Sequence, residues 1–330
     1  MRTYHSGKKP ALQISLPPTE VSSEHSVSAP FPAPIVWGEA APEVEVVIGP
    51  TASGKSAYAI ALAQRENGEV VSADSRQVYK GFTFTTAKVL PEEMQGVLHH
   101  MMDVADIEEV YTAGRYAKEA QEVVRDILAR GKRPVITGGT MFYVEALLWE
   151  GYLPAEVPPN LPLRHKLEQR TTEELLDLLA RRDPERAAAI GPNRPRLVRA
   201  LEILERLGAI PRREHLTPRW RARFHYLIWP REELERRIRA RVEARLDAML
   251  EEIRNEQHRL TPERARRLGF DWTLTLAHLQ GGLSREELIE ALTRADLRYA
   301  KRQERWWKRF IPSTARKERC ALTPPPSCSH

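Results

Sequence analysis

Gly49-Pro50-Thr51-Ala52-Ser53-Gly54-Lys55-Ser56 fits the phosphate-loop pattern G-x-x-x-x-G-K-[ST], and its flanks decide the fold. Ahead of it Val44-Glu45-Val46-Val47-Ile48 reads as a short β-branched strand. Behind it the alanine- and leucine-rich run 57–63 has helical character. A strand passing through a glycine-bounded turn into a helix N-terminus aims backbone N–H groups and the positive end of a helix dipole at an anion. Lys55 adds a point charge, and the Ser56 hydroxyl is placed to hold a Mg²⁺. The stretch implies a di- or triphosphate ligand; the alternative is a tight glycine turn that binds nothing.

Two further strand ends belong to the same plan. Residues 69–73 form a second strand running into Asp74. Ligands of open α/β sheets lie outside the carboxyl ends of the strands, which puts Asp74 beside the loop. Asp74 is open to three readings at this point: a metal ligand in a nucleotide hydrolase, a general base in a transferase, or a cap on the next turn. Pro134-Val135-Ile136-Thr137 is the third strand, and Gly138-Gly139-Thr140 turns it into the helical run 141–148. This turn offers a second anion-facing helix start, although Gly-Gly-Thr alone is often only a turn.

In order along the chain come the phosphate loop, Ser72-Ala73-Asp74-Ser75-Arg76-Gln77-Val78-Tyr79, His99-His100 ahead of Asp103, and Gly138-Gly139-Thr140. The run 196–202, Arg241-Val242-Glu243-Ala244-Arg245 before Met249-Leu250, and Ala300-Lys301-Arg302-Gln303 near Trp306 follow. Across about residues 44–311 this set resembles the bacterial tRNA dimethylallyltransferases. The resemblance implies transfer of a dimethylallyl group from dimethylallyl diphosphate, the co-substrate, to the exocyclic amine of the adenosine 3′ of the anticodon in tRNA. Carried over residue by residue, it makes Asp74 the general base on that amine. Thr51, Lys55, Ser56 and the amides of the loop 49–56 would hold the diphosphate, assisted by Arg245. Asp74, Ser75, Arg76 and Gln77 would surround a flipped adenine, and Thr140 and Arg164 would stand near the reaction centre and tRNA. Pro195, Arg196, Leu197, Val198 and Arg199 would touch tRNA.

The residue types suit that chemistry. An adenine amine is a weak nucleophile, its lone pair delocalised into the ring, and a carboxylate that takes its proton is typically worth about 10²–10⁴-fold. Charge grows on the departing diphosphate, where amides, Lys55, Mg²⁺ and Arg245 would meet it. The chain departs from the family pattern at Thr85-Thr86-Ala87-Lys88, where Gly-Thr-Ala-Lys is usual. It departs again at Asn193-Arg194-Pro195-Arg196, in place of Asn-Asp-Pro-Gln-Arg, and at Leu268-Gly269-Phe270-Asp271-Trp272, in place of Gly-Tyr-x-Glu. Two other classes compete: an adenylate prenyl transferase using a free nucleotide, and a P-loop kinase or hydrolase. The first needs no basic surface, and the second needs a metal-directed carboxylate beyond Asp74.

A net charge of +6 and a sequence pI of about 9.3 favour an anionic macromolecular partner. Distribution is more telling, for twelve arginines face five acidic residues between Arg181 and Arg223. That bias suits a nucleic-acid backbone, the tRNA anticodon stem-loop on the resemblance, or else a solvated helix surface. Cys320 and Cys328 have no metal-site spacing. Two cysteines in so long a chain fit a reducing, cytoplasmic setting. No apolar run has the length of a membrane span. The expected fold is an α/β P-loop parallel sheet with helices on both faces plus a helical insertion, in a monomer. Residues 42–150 and 225–311 form the expected core, with a strand at Tyr226–Trp229. Residues 151–224 form the basic, tRNA-binding insertion, 1–41 a disordered Pro-, Ser- and Ala-rich extension, and 312–330 a loose tail. Residues 232–260 read as one long helix with an apolar stripe from Leu234 to Ile253. On it Arg241 and Arg245 lie one turn apart, able to share an anion.

Overall fold

The computed structural model describes residues 34–153, 157–211 and 216–308. The cysteines and the expected tail lie outside these residues, as do residues 1–33.

Nineteen elements occur among the described residues. β1 (Ile35–Gly38), β2 (Val44–Ile48) and α1 (Lys55–Arg65) come first. β3 (Gly68–Ser72), β4 (His99–His100), α2 (Ala113–Ala129), β5 (Arg133–Thr137) and α3 (Met141–Leu148) complete the first stretch. β6 (Trp149–Glu150) precedes four helices: α4 (Leu161–Glu168), α5 (Thr172–Ala180), α6 (Pro184–Ile190) and α7 (Arg194–Leu207). β7 (Thr217–Pro218) pairs with β6, and β8 (Ala222–Tyr226) returns to the main sheet. The chain closes with α8 (Arg231–Glu256), α9 (Pro262–Leu268), α10 (Phe270–Leu279) and α11 (Arg285–Trp307).

The main sheet has the order β1-β8-β2-β5-β3-β4, parallel except at β1. Its central strands are apolar on both faces because helices cover both. Val47, Val70 and Val135 pack on Ala59, Ile60 and Leu62 of α1. Their neighbours Val46, Val71 and Ile136 pack on Tyr116, Ala120 and Val124 of α2. This alternation is the period-two geometry of a strand, read here through a continuous hydrophobic run.

Two expectations need correction. The late strand is Ala222–Tyr226 rather than 226–229, and so begins inside the stretch assigned to the insertion. Its residues alternate with charge, Arg223 and His225 pairing with buried Glu45, and the apolar Leu227-Ile228-Trp229 drew the reading too far along. The extension expected to be structureless through residue 41 contributes the edge strand β1, antiparallel to β8. Trp37 stacks on Phe224 there, with ring centroids 5.2 Å apart, a cross-strand contact that proline-rich surroundings hide in the sequence.

The four helices α4–α7 gather around their own apolar cluster, with Leu167, Leu175, Leu179, Leu197 and Leu201 at its centre. Three of them begin on an Asn or Asp side chain that accepts an amide, followed by proline in the first turn (Asn160, Asp183, Asn193). The departure at Asn193–Arg196 therefore builds a helix start. In α8 the whole expected stripe, Leu234, Ile238, Val242, Leu246, Met249 and Ile253, is buried.

Candidate active site

The site lies at the carboxyl ends of β2, β3 and β5. After Ile48 the loop turns through Gly54, which caps α1 at φ +89°, a left-handed conformation that favours glycine. After β3 the chain passes Ala73 into Asp74. Gly138, just beyond β5, lies so close to this segment that a Cβ there would stand 2.2 Å from the Ala73 carbonyl oxygen. Only glycine allows that approach, and it brings the Gly-Gly-Thr turn against Asp74. Asp74 Oδ1 accepts the Arg76 amide at 2.8 Å, and Oδ2 accepts the Gly139 amide at 3.3 Å. Thr140 Oγ1 accepts the Ser75 amide at 2.8 Å. The carboxylate is thus aimed by two backbone donors rather than by a cation.

The phosphate loop is braced from outside by the last helices. Arg241 Nη2 donates to Thr51 Oγ1 at 2.6 Å and to Asp296 Oδ2 at 2.9 Å. Arg237 Nε reaches the Ala52 carbonyl, and Trp229 Nε1 the Ser53 carbonyl, both at 3.0 Å. The Thr51 amide is taken by Gln303 Oε1 at 2.7 Å. Lys55 Nζ donates to the Pro50 carbonyl at 2.6 Å. Burial, with Arg241 close by, pushes the Lys55 ammonium down to about 7, while Asp74 and Asp296 pull the other way.

Arg245 lines the same cavity, but its guanidinium hydrogen-bonds away from the phosphate loop. Its Nη1 donates to the carbonyls of Phe84 and Thr85, at 3.2 and 3.0 Å, and its Nη2 to Asp271 Oδ1 at 2.8 Å. Asp296 Oδ2 lies 3.8 Å from the same Nη2. Burial pushes the Asp271 carboxyl up to about 6, with Arg245 resisting and Asp296 adding to the rise. Arg241 and Arg237 are the arginines that touch the phosphate loop, and Arg245 holds the 84–85 loop. Glu252 completes that hold by accepting the Phe84 and Thr85 amides, both at 2.8 Å.

One cavity of about 2010 Å³ joins these parts to the four-helix cluster. Thr51, Lys55, Ser56, residues 74–77 and Thr140 line one end, and Arg164, Arg196 and Arg199 line the other. Gln77 is partly committed, donating to the Ala87 carbonyl at 3.2 Å and accepting from Ser72. Arg76 lies 6.0 Å from the centre of the Trp272 ring. Arg164 makes two bonds to the buried carboxylate of Glu202, at 2.7 and 2.9 Å, and Arg199 reaches the same group. Arg196 is exposed and lines the cavity. Leu197, expected on tRNA, is fully buried in the α4–α7 core, and half-buried Val198 packs against the same core. Leu197 is a packing residue, because the helix turns it about 100° away from Arg196.

Residues 77–310 match the model of the IPP transferase family. A tRNA dimethylallyltransferase of Thermomicrobium roseum is 39% identical over 278 residues, covering 81% of this chain and 84% of that protein. One of Corynebacterium diphtheriae is 38% identical, covering 80% and 90%. The chain belongs to the IPP transferase family. Two solved structures agree with its fold. The full-length tRNA isopentenylpyrophosphate transferase of Bacillus halodurans is 32% identical with a TM-score of 0.57, covering 80% of this chain and 86% of that one. A eukaryotic dimethylallyltransferase captured acting on tRNA is 31% identical with a TM-score of 0.70, covering 80% and 69%.

Within this IPP transferase, the sequence reading missed Asp296, Tyr299 and Gln303 as site residues and named Arg241 only as able to share an anion with Arg245. Arg241 had a signal, its one-turn spacing from Arg245. Gln303 had one too, its place in the run Ala300–Gln303. Trp307 is buried in the main core, and half-buried Trp306 lines the cavity. No helix among the described residues is long and apolar enough to cross a membrane.

Proposed function

We infer that this chain transfers a dimethylallyl group from dimethylallyl diphosphate to the exocyclic amine of the adenosine 3′ of the anticodon in tRNA. The observation that carries the reading is the placing of two chemistries on one cavity wall. A carboxylate aimed by two amides, Asp74, stands beside a phosphate loop braced by Arg241 and carrying Lys55. Family membership supplies the substrate class. In the step, the carbon–oxygen bond to the diphosphate breaks, a carbon–nitrogen bond to adenine forms, and the amine proton passes to Asp74. Loop amides, Lys55 and Ser56 take the growing charge on the leaving group. The Thr51 amide is already engaged by Gln303, so its contribution is to hold the loop's shape. Tyr299, Gln303 and Trp306 line the same cavity, where the transfer requires that water be kept from an allylic cation-like centre.

Mg²⁺ fits the donor set. Among the described residues no group of three His, Cys, Asp or Glu could enclose a metal. A hydroxyl such as Ser56 with diphosphate oxygens and water suits an ion that dehydrates reluctantly. When bound it would supply charge neutralisation on the diphosphate. The α4–α7 unit, with Arg164, Arg196 and Arg199 on the shared cavity, serves as the clamp on the anticodon stem-loop. The working protein is a monomer of the cytoplasm, where its substrate is.

A transfer assay with labelled dimethylallyl diphosphate and Mg²⁺, offering unmodified tRNA and AMP in parallel, tests the reading. Label on tRNA alone is expected. Label on AMP moves the protein to the free-nucleotide transferases, and label on neither rejects the assignment.

A further inference from the structure

Gln303 is fully buried, yet both ends of its amide are used on the two loops that carry the chemistry. Oε1 accepts the Thr51 amide at 2.7 Å, and Nε2 donates to the Gly139 carbonyl at 2.8 Å. The orientation of the amide follows from its partners, since the reverse would set N–H against N–H and oxygen against oxygen. Gly139 in turn gives its own N–H to Asp74. One side chain therefore ties the phosphate loop to Gly139, the residue that helps aim the base.

The surroundings leave little room for adjustment. A Cβ on Gly139 would meet Asp74 Oδ2 at 2.8 Å, Gln303 Nε2 at 3.2 Å and the Tyr299 hydroxyl at 3.3 Å. Tyr299 also donates to the Gly139 carbonyl, at 2.5 Å. Asp296, Tyr299 and Gln303 follow one another at three- and four-residue steps and so share one face of α11. Asp296 holds Arg241, which holds the Thr51 hydroxyl. Thr51 is thus fixed from α11 at its amide and, through Arg241, at its side chain.

We propose that Gln303 is a positioning residue that sets the distance between the leaving-group loop and the Asp74 carboxylate. The inference rests on the transfer reading above. Only a primary amide can accept at one end and donate at the other in this space at every pH. A glutamic acid does the same only while protonated. Once ionised it confronts the Gly139 carbonyl with a lone pair and adds a negative charge near Asp74.

Gln303→Leu removes both bonds at similar volume. A displacement of about 1 Å between reacting groups is worth about 10²-fold, and kcat is expected to fall by that order. Affinity for inorganic pyrophosphate, the probe of the loop, and for tRNA should stay within about threefold, the pattern of an interaction spent in the transition state. Gln303→Glu should show a deficit relative to the unchanged chain that widens as pH rises, whereas the leucine variant's deficit is flat with pH. Tyr299→Phe, which removes one of two donors to Gly139, should show a smaller fall in kcat. Hydrogen exchange of the peptides carrying Thr51 and Gly139 should quicken in Gln303→Leu, with melting temperature held.

If the leucine variant does not fold, the glutamate and Tyr299→Phe variants carry the test. Unchanged kcat in these variants, parallel loss of kcat and pyrophosphate affinity, or unchanged exchange in both peptides overturns the proposal. An unchanged chain that labels no tRNA rejects the transfer reading instead, and the exchange measurement still decides whether Gln303 joins the two loops.

Discussion

Replacing Arg245 by methionine should destabilise the fold, and the loss should depend on pH. The guanidinium and the Asp271 carboxylate are nearly buried, at 9% and 15% side-chain exposure, and sit 2.8 Å apart. Removing one partner of a buried pair typically costs about 3–5 kcal/mol, because the remaining charge stays in poor solvent. The carbonyls of Phe84 and Thr85 lose a donor as well. Asp271 has an escape by protonation, and the groups facing it set where that happens. Arg245 and Arg241 from α8 favour the carboxylate, while burial and Asp296 from α11 oppose it. Its folded value of about 6 stands above the reference of 3.8, so the folded chain holds more protons than the unfolded one between these pH values. Stability contributed here is present at low pH and is lost as pH rises through that window, by up to about 1.4 kcal/mol per unit. Without Arg245 the folded value climbs further, and the loss extends above pH 6. Urea denaturation of Arg245→Met, Asp271→Asn and the double variant, near pH 5 and near pH 8, reads this directly. The methionine variant should lose most near pH 8 and least near pH 5, and adding Asp271→Asn should recover most of the difference. A loss below about 1 kcal/mol, or one equal at both pH values, would refute the account of a charge stranded by burial.

Asp74→Asn should slow transfer by at least about 10²-fold while tRNA affinity stays within a few-fold, as single-turnover and binding measurements will read; equal losses remove Asp74 as the base. Filter binding across a salt series should show tRNA affinity falling steeply, and Arg196→Ala should shallow the log–log slope by about one with no change in melting; a flat dependence removes the clamp. Leu197→Ala, by contrast, should cost about 2–5 kcal/mol of stability through the α4–α7 core and leave the affinity of the folded fraction unchanged; weakened binding at full stability would restore Leu197 to the tRNA surface.

What the sequence made legible was local. The strand, glycine turn and helix at 44–65, the Asp74 strand end and the Gly138–Thr140 turn are each short segments whose residues dictate their own backbone. The apolar stripe of α8 was legible for the same reason, since Leu234 through Ile253 recur at helical steps and all are buried. The braces behind the site were not. Arg241 and Thr51 are 190 residues apart in sequence, and Gln303 and Thr51 are 252 apart, distances over which no periodicity carries information. β1 escaped notice because its evidence is Phe224, on a strand nearly two hundred residues later.

The choice between Arg241 and Arg245 shows where such reading ends. A four-residue step places both on one face of α8, and the face does point at the site. But each residue also advances about 1.5 Å along the axis, so the two guanidinium groups start about 6 Å apart in depth. That separation is the difference between the phosphate loop and the 84–85 loop. Side-chain length cannot cancel it here, because Asp296 draws Arg241 toward Thr51 and Asp271 draws Arg245 away. Both acids come from helices that follow α8, and one of them, Asp271, lies in the stretch that departs from the family pattern. An arginine in a family-like position is therefore assigned by its carboxylate partner. In this chain Asp296 turns Arg241 onto the Thr51 hydroxyl of the phosphate loop, while Asp271 keeps Arg245 on the 84–85 loop.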